Sequence, residues 1–237
     1  MYALSVSILL YSDYVAYFVL PAQAIFLLIY SRVSIKRFLM SLCLGLIPVL
    51  PWLFIFPQQL INGQTTAESL TGWKQVVGGA SLKDGALLVI KTLIGRISIE
   101  NKLVYGILVT IITFPYLLIL KTAFNKTTRL LVCWLVIPPS LAFLLSFYIP
   151  IFAYFRFIFI LPAFYLLVAV GLRKLDNSQL EVFRVKGINL ILTLVVITLQ
   201  VSASFVYLTN SMFHRENWKE AASFIQERID NEGGGYR

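Results

Sequence analysis

Four ionisable residues sit where an apolar sequence gives way to polar segments: Asp13 between Tyr11 and Tyr14, Lys91 and Arg96 within a long polar-to-apolar stretch, and Arg156 after Tyr148, Phe152, Tyr154 and Phe155. A carboxylate can orient a sugar hydroxyl or hold a metal ion. Ammonium and guanidinium groups bind phosphate, the guanidinium often in two-pronged fashion. Gathered at one membrane face, these groups would suit a lipid phosphate or pyrophosphate with its sugar in water and its tail in the bilayer. Simple solvation of Asp13 and snorkelling of Arg156 compete with that reading. For Lys91 and Lys102, ordinary solvated cations are expected.

The elements that must position these groups are transmembrane helices. The chain is 59% hydrophobic and 13% charged, with a mean hydropathy of +0.82. A soluble domain is nearer half apolar and a quarter charged. A bilayer core needs about twenty mostly apolar helical residues. Residues 14–30, 38–56, 103–120, 130–147, 157–172 and 188–208 meet or approach that requirement, and no Asp, Glu, Lys or Arg falls within any of them. The fold class expected is therefore all-α, a polytopic bundle of about six spans. Pro21, Pro48, Pro51, Pro115, Pro138, Pro139 and Pro162 interrupt these spans and predict kinks.

Three short segments are basic: Ser31 to Arg37; Lys121 to Arg129; and Arg173 to Gly187 with Arg184 and Lys186. They fall on one side if every span crosses, and the positive-inside rule makes that side cytoplasmic. The net charge of +9 then reflects loops and anionic headgroups. No clustered basic and aromatic face for nucleic acid is present. The other face receives the 11–14 corner, the long loop 57–102, the hairpin 148–156 and the tail 209–237. The localisation expected is a cell (inner or plasma) membrane, with membrane lipids as neighbours. Within the long loop, Leu82 to Ile99 reads as a re-entrant or interfacial helix, being too short and too charged to span. In the tail, Asn217 followed by Glu220 resembles a capping box, and Trp218, Ala222, Ile225 and Ile229 share one helical face.

Other features have plain readings. Cys43 and Cys133 lie in apolar spans and read as packing residues. His214 precedes the tail helix and reads as a solvated histidine. Asn125-Lys126-Thr127 matches a glycosylation sequon but falls in a loop expected to be cytoplasmic. Gly78-Gly79 signals only a turn. Met1 to Leu10 is apolar and too short to cross, without a basic leader, and reads as the end of a longer helix rather than a cleaved signal.

The order of features resembles the membrane region of GT-C superfamily glycosyltransferases, specifically the family 39-like bacterial enzymes related to protein mannosyltransferases and aminoarabinose transferases. The matching pieces are 10-LYSDYVAYF-18 with Gln23 following, Pro48-Val49-Leu50-Pro51-Trp52 before the long loop, and Ile94-Gly95-Arg96-Ile97-Ser98. Pro150-Ile151-Phe152, Arg156-Phe157, Leu161-Pro162, Ala169-Val170-Gly171-Leu172 and Asn217-Trp218-Lys219-Glu220-Ala221-Ala222 complete the set. The resemblance implies transfer of a sugar from a polyprenyl-phosphate donor to an acceptor at the outer face, by a carboxylate general base and, in some members, a divalent metal. It places that carboxylate in an N-terminal half for which this chain has no counterpart. No catalytic residue is therefore expected here, and the chain is expected to be the C-terminal part of such an enzyme, inactive alone. Residues 209–237 would begin an extracytoplasmic C-terminal domain. Arg156 matches the basic residue that meets donor phosphate, and Tyr11, Asp13, Tyr14 and Arg96 complete the expected lipid-phosphate site. Many members place histidine, not aspartate, in the corner that Asp13 occupies, so metal binding is not carried over to it. A transporter or flippase, or a non-catalytic membrane subunit, is the alternative.

Overall fold

A computed structural model describes residues 1–69, 81–175, 187–213 and 218–232, all of whose regular structure is helical. The turn signal at Gly78-Gly79, Arg184, Lys186, His214, Asn217 and the glycine run 233–235 lie outside the described residues. The helices are α1 (Tyr2–Ser12), α2 (Val19–Tyr30), α3 (Ile35–Leu46), α4 (Leu50–Leu53), α5 (Phe56–Ser69), α6 (Leu82–Ile94), α7 (Lys102–Ala123), α8 (Arg129–Leu145), α9 (Leu161–Leu175), α10 (Ile188–Thr209) and α11 (Trp218–Glu232). Short 3-10 segments join several of them, notably Val15–Phe18 before α2 and Tyr154–Ile160 before α9.

Five helical stretches are long and apolar enough to cross a membrane: Arg32–Leu53, Lys102–Ala123, Lys126–Leu145, Tyr154–Leu175 and Asn189–Thr209. This is the pattern of a multi-pass membrane protein. The sixth stretch anticipated, 14–30, forms a shorter apolar helix, Val15–Tyr30. The Asp13 turn stops α1 and starts a 3-10 segment there, which leaves fewer residues than the roughly twenty a bilayer requires.

Helix α7 shows how such a sequence serves two solvents. Leu103, Ile107, Ile111 and Phe114 recur at helical spacing and stay exposed on one face, as lipid-facing residues do. Ile112, Tyr116, Ile119 and Ala123 occupy the other and are buried. That buried face packs on α9, where Gly171 allows the backbones to approach closely. Thr122 Oγ1 donates to the Gly171 carbonyl at 3.0 Å, a small-residue contact with a polar tie of the kind that joins helices in lipid. Glycine also serves at Gly45, where a Cβ would meet the Ala3 carbonyl oxygen at 2.7 Å, so α1 lies tight against α3.

Two rims can be told apart. At one, the Arg129 guanidinium lies 4.5 Å from the ring centroid of Tyr30, which brings the end of α2 to the start of α8. The α7 and α9 ends meet there too, through the Thr122–Gly171 bond. The basic segments beginning at Ser31 and Lys121, and Arg173 with Lys174, therefore share a rim. At the opposite rim, the Tyr154–Ile160 segment packs against α6, α8 and the Val15–Phe18 segment. Val15, Leu88, Ala142, Phe152, Phe157 and Ile160 form one buried cluster beneath it.

Helix α6 departs most from expectation. It stops at Ile94 rather than Ile99, because Gly95 takes φ +79°, a left-handed-side conformation that ends the helix. Its end enters the bundle. Leu93 and Ile94 are buried in the core cluster that includes Ile112, Tyr116, Phe164 and Val196.

Candidate functional site

The C-terminal end of α6 and the residues that follow carry the densest polar network at the rim opposite the basic segments. Lys91 Nζ donates to the Ile97 carbonyl, to Ser98 Oγ at 3.0 Å and to Tyr105 Oη at 3.2 Å. Tyr105 in turn donates to the Ile97 carbonyl at 3.3 Å. The ammonium also lies 5.4 Å from the Tyr105 ring centroid. Lys91 thereby folds residues 95–98 back toward the start of α7. Burial first, and then the neighbouring Arg96 guanidinium, push the Lys91 ammonium below the ordinary lysine value. Arg96 is half-buried and shares the stretch that Lys91 secures.

Arg156 joins this region through its own segment. Ser146 Oγ accepts from the backbone N–H groups of Ile151 and Phe152, at 3.2 and 2.7 Å, and pins the turn after α8. Phe152 and Phe157 are buried with ring centroids 5.0 Å apart. Between them, Arg156 is half-buried on the 3-10 segment that packs on α6. Tyr154, two residues earlier, lies close enough to Tyr105 for the two phenols to interact electrostatically. Lys91 and Tyr105 thus meet where α6 ends, and the segment that bears Tyr154 and Arg156 packs on the same helix.

The residues of the 11–14 corner have different duties. Asp13 Oδ1 accepts from the Val15 backbone N–H at 2.8 Å, an Asx-type turn that starts the 3-10 segment. Tyr11 Oη donates to the Pro48 carbonyl at 2.7 Å. Tyr14 Oη donates to Gln59 Oε1 at 3.0 Å, and its ring stacks on Trp52 at 5.4 Å. Phe56 and Tyr17 complete an aromatic group of the sort that marks a membrane–water boundary. Tyr11 and Tyr14 therefore fasten α1 to α3–α5. Gln23, part of the same motif, accepts from Tyr2 Oη. The Val15–Phe18 segment that follows the corner packs against the Arg156 segment.

Sequence reasoning missed Tyr105, named Tyr154 only as part of an aromatic hairpin, and gave Lys91 a passive role. It also passed over Gln200, the one amide in the middle of the last apolar span, a placement that demands a partner. Among the described residues no three of His, Cys, Asp and Glu gather to hold a metal ion, so these residues offer no divalent-metal centre. No protein-family model, curated protein or solved structure matches this chain.

Proposed function

We propose that this chain is a membrane-embedded glycosyltransferase of the GT-C type, or part of one, and that Lys91, Arg96 and Arg156 receive the phosphate of a polyprenyl-phosphate sugar at the outer face. The observation that supports the reading is the packing of the 154–160 segment, which bears Arg156, on α6, which bears Lys91, at the rim away from the basic loops. Donors of this kind satisfy a phosphate from several sides, and the adjoining apolar helix faces are suited to its polyprenyl tail. The motif resemblance supplies the reaction class. In that reaction an acceptor hydroxyl oxygen attacks the anomeric carbon, the bond from that carbon to the phosphate oxygen breaks, and the lipid phosphate leaves with the electron pair. The cations would stabilise the leaving phosphate as charge grows on it. The general base is assigned to none of the described residues, and Tyr11, Asp13 and Tyr14 act here as scaffold at the edge of the site.

A second reading, a transporter or flippase for the same class of lipid, draws on α6 ending inside the bundle, as broken helices do in transporters. Both readings predict that Arg156→Ala in the full-length protein weakens binding of the lipid-phosphate donor at least ten-fold. An unchanged donor affinity would remove the assignment. Release of free polyprenyl phosphate together with a glycosylated acceptor would favour transfer, and movement of intact donor across vesicles would favour transport.

A further inference from the structure

The C-terminal end of α6 is buried in an apolar core, where its last carbonyls have no helical partner. One of them is satisfied from another helix: Gln200 Nε2, on α10, donates to the Leu93 carbonyl oxygen at 3.0 Å. The same amide nitrogen donates to Tyr116 Oη of α7, also at 3.0 Å. Gln200 lies roughly 13 Å along the helix axis from the Thr209 end of α10, so this three-way junction is deep among the helices. Val196 is the buried side chain of α10 among the described residues, with Leu192 and Leu199 half-covered beside it.

We infer that Gln200 is a positioning residue for the anion site, its amide fixing the depth of α6 and through it the Lys91–Arg96 pair. The inference rests on the reading of that site given above. The physical ground is the asymmetry of a buried backbone carbonyl. With the amide present, α6 can end at this depth; without it, the Leu93 carbonyl stands unpaired in an apolar setting, and withdrawing the helix toward the polar rim relieves it. Lys91 lies two residues before Leu93 and Arg96 three after it, so neither can stay in place if that end moves.

The test uses the full-length protein in lipid nanodiscs, with nitroxide labels at Val89 on α6 and Leu208 on α10, both exposed. Wild type should give one narrow distance distribution. Gln200→Met keeps the length and loses the donor, and should broaden or shift the distribution by about a helical turn, ~5 Å. It should also weaken binding of a short-chain polyprenyl phosphate roughly three- to twenty-fold. Tyr116→Phe leaves the Leu93 bond intact and should preserve both values. An unchanged distance in Gln200→Met overturns the inference, as does a full copy of its effects by Tyr116→Phe, which would signify general loosening. A shifted distance with unchanged affinity overturns the positioning role. Should Gln200→Met fail to assemble, Gln200→Asn, whose shorter amide cannot reach Leu93 without drawing the helices together, must shorten the label distance, and an unaltered distance overturns the inference. If wild type itself binds no polyprenyl phosphate, the anion-site reading fails, and the positioning role that rests on it falls with it, whatever the label distances show.

Discussion

Gly171 faces the Ile119 carbonyl so closely that a Cβ on it would stand 2.2 Å from the oxygen. Since the obstacle is backbone, side-chain adjustment cannot clear it. Gly171→Ala must push α9 away from α7, and overpacking of this kind costs about 1–3 kcal/mol. The expected outcome is a clear fall in the thermal unfolding midpoint in detergent. Gly106→Ala is the control, because a Cβ there meets nothing within 4 Å. It should be neutral or slightly stabilising, through better helix propensity.

Asp13 separates a capping role from a chemical one. Its Oδ1 takes the Val15 N–H, and asparagine offers the same oxygen without the charge. Asp13→Asn should leave stability and donor binding near wild type, whereas Asp13→Ala should cost about 1 kcal/mol of stability. A large loss of donor binding in Asp13→Asn, with stability retained, would return the carboxylate to the site.

Lys91 sets a pH dependence whose two arms run in opposite directions. Its ammonium titrates below the ordinary 10.5, and the charged form is the one that meets phosphate. Donor binding is therefore full below the lowered pKa and falls as pH rises through it. Stability moves the other way. Between the folded and unfolded pKa values the unfolded chain holds the extra proton, so stability rises with pH across that window. Binding titrations at alkaline pH check the first arm. Lys91→Arg, which keeps its charge, should remove the decline in binding.

The orientation of the bundle follows from which rim is basic. In a background with Cys43 and Cys133 replaced by alanine, a cysteine at Leu82 should react with an impermeant thiol reagent in intact cells. One at Lys126 should react only after lysis. The reverse pattern would turn the protein over and put the anion site on the cytoplasmic face.

Much of this architecture was legible in the sequence because lipid makes a simple demand. Charge-free apolar runs give the five long helices, and the positions of Arg129 and Arg173 give the basic rim. Within 14–30, hydropathy cannot see that the Asp13 turn starts a 3-10 segment before α2. Leu82 to Ile99 was recognised as non-spanning, but the amide that meets its end, that of Gln200, is far away in sequence. The partners of Lys91 were hidden for the same reason: Ile97, Ser98 and Tyr105 come together only when Gly95 reverses the chain. The bonds of Tyr11 to Pro48 and of Tyr14 to Gln59 could not be read from the sequence, since a phenol that fastens a helix and one that touches a ligand look alike there.

The most direct test places a photo-cross-linking amino acid at Tyr154, two residues before Arg156 on the segment that packs on α6, in the full-length protein in nanodiscs. Irradiation with a polyprenyl phosphate should give a covalent adduct that competing polyprenyl-phosphate sugar suppresses. Combined replacement of Lys91, Arg96 and Arg156 by glutamine should abolish it. Equal capture of the phosphate-free polyprenol, or capture that survives the triple replacement, would contradict a phosphate site at this rim.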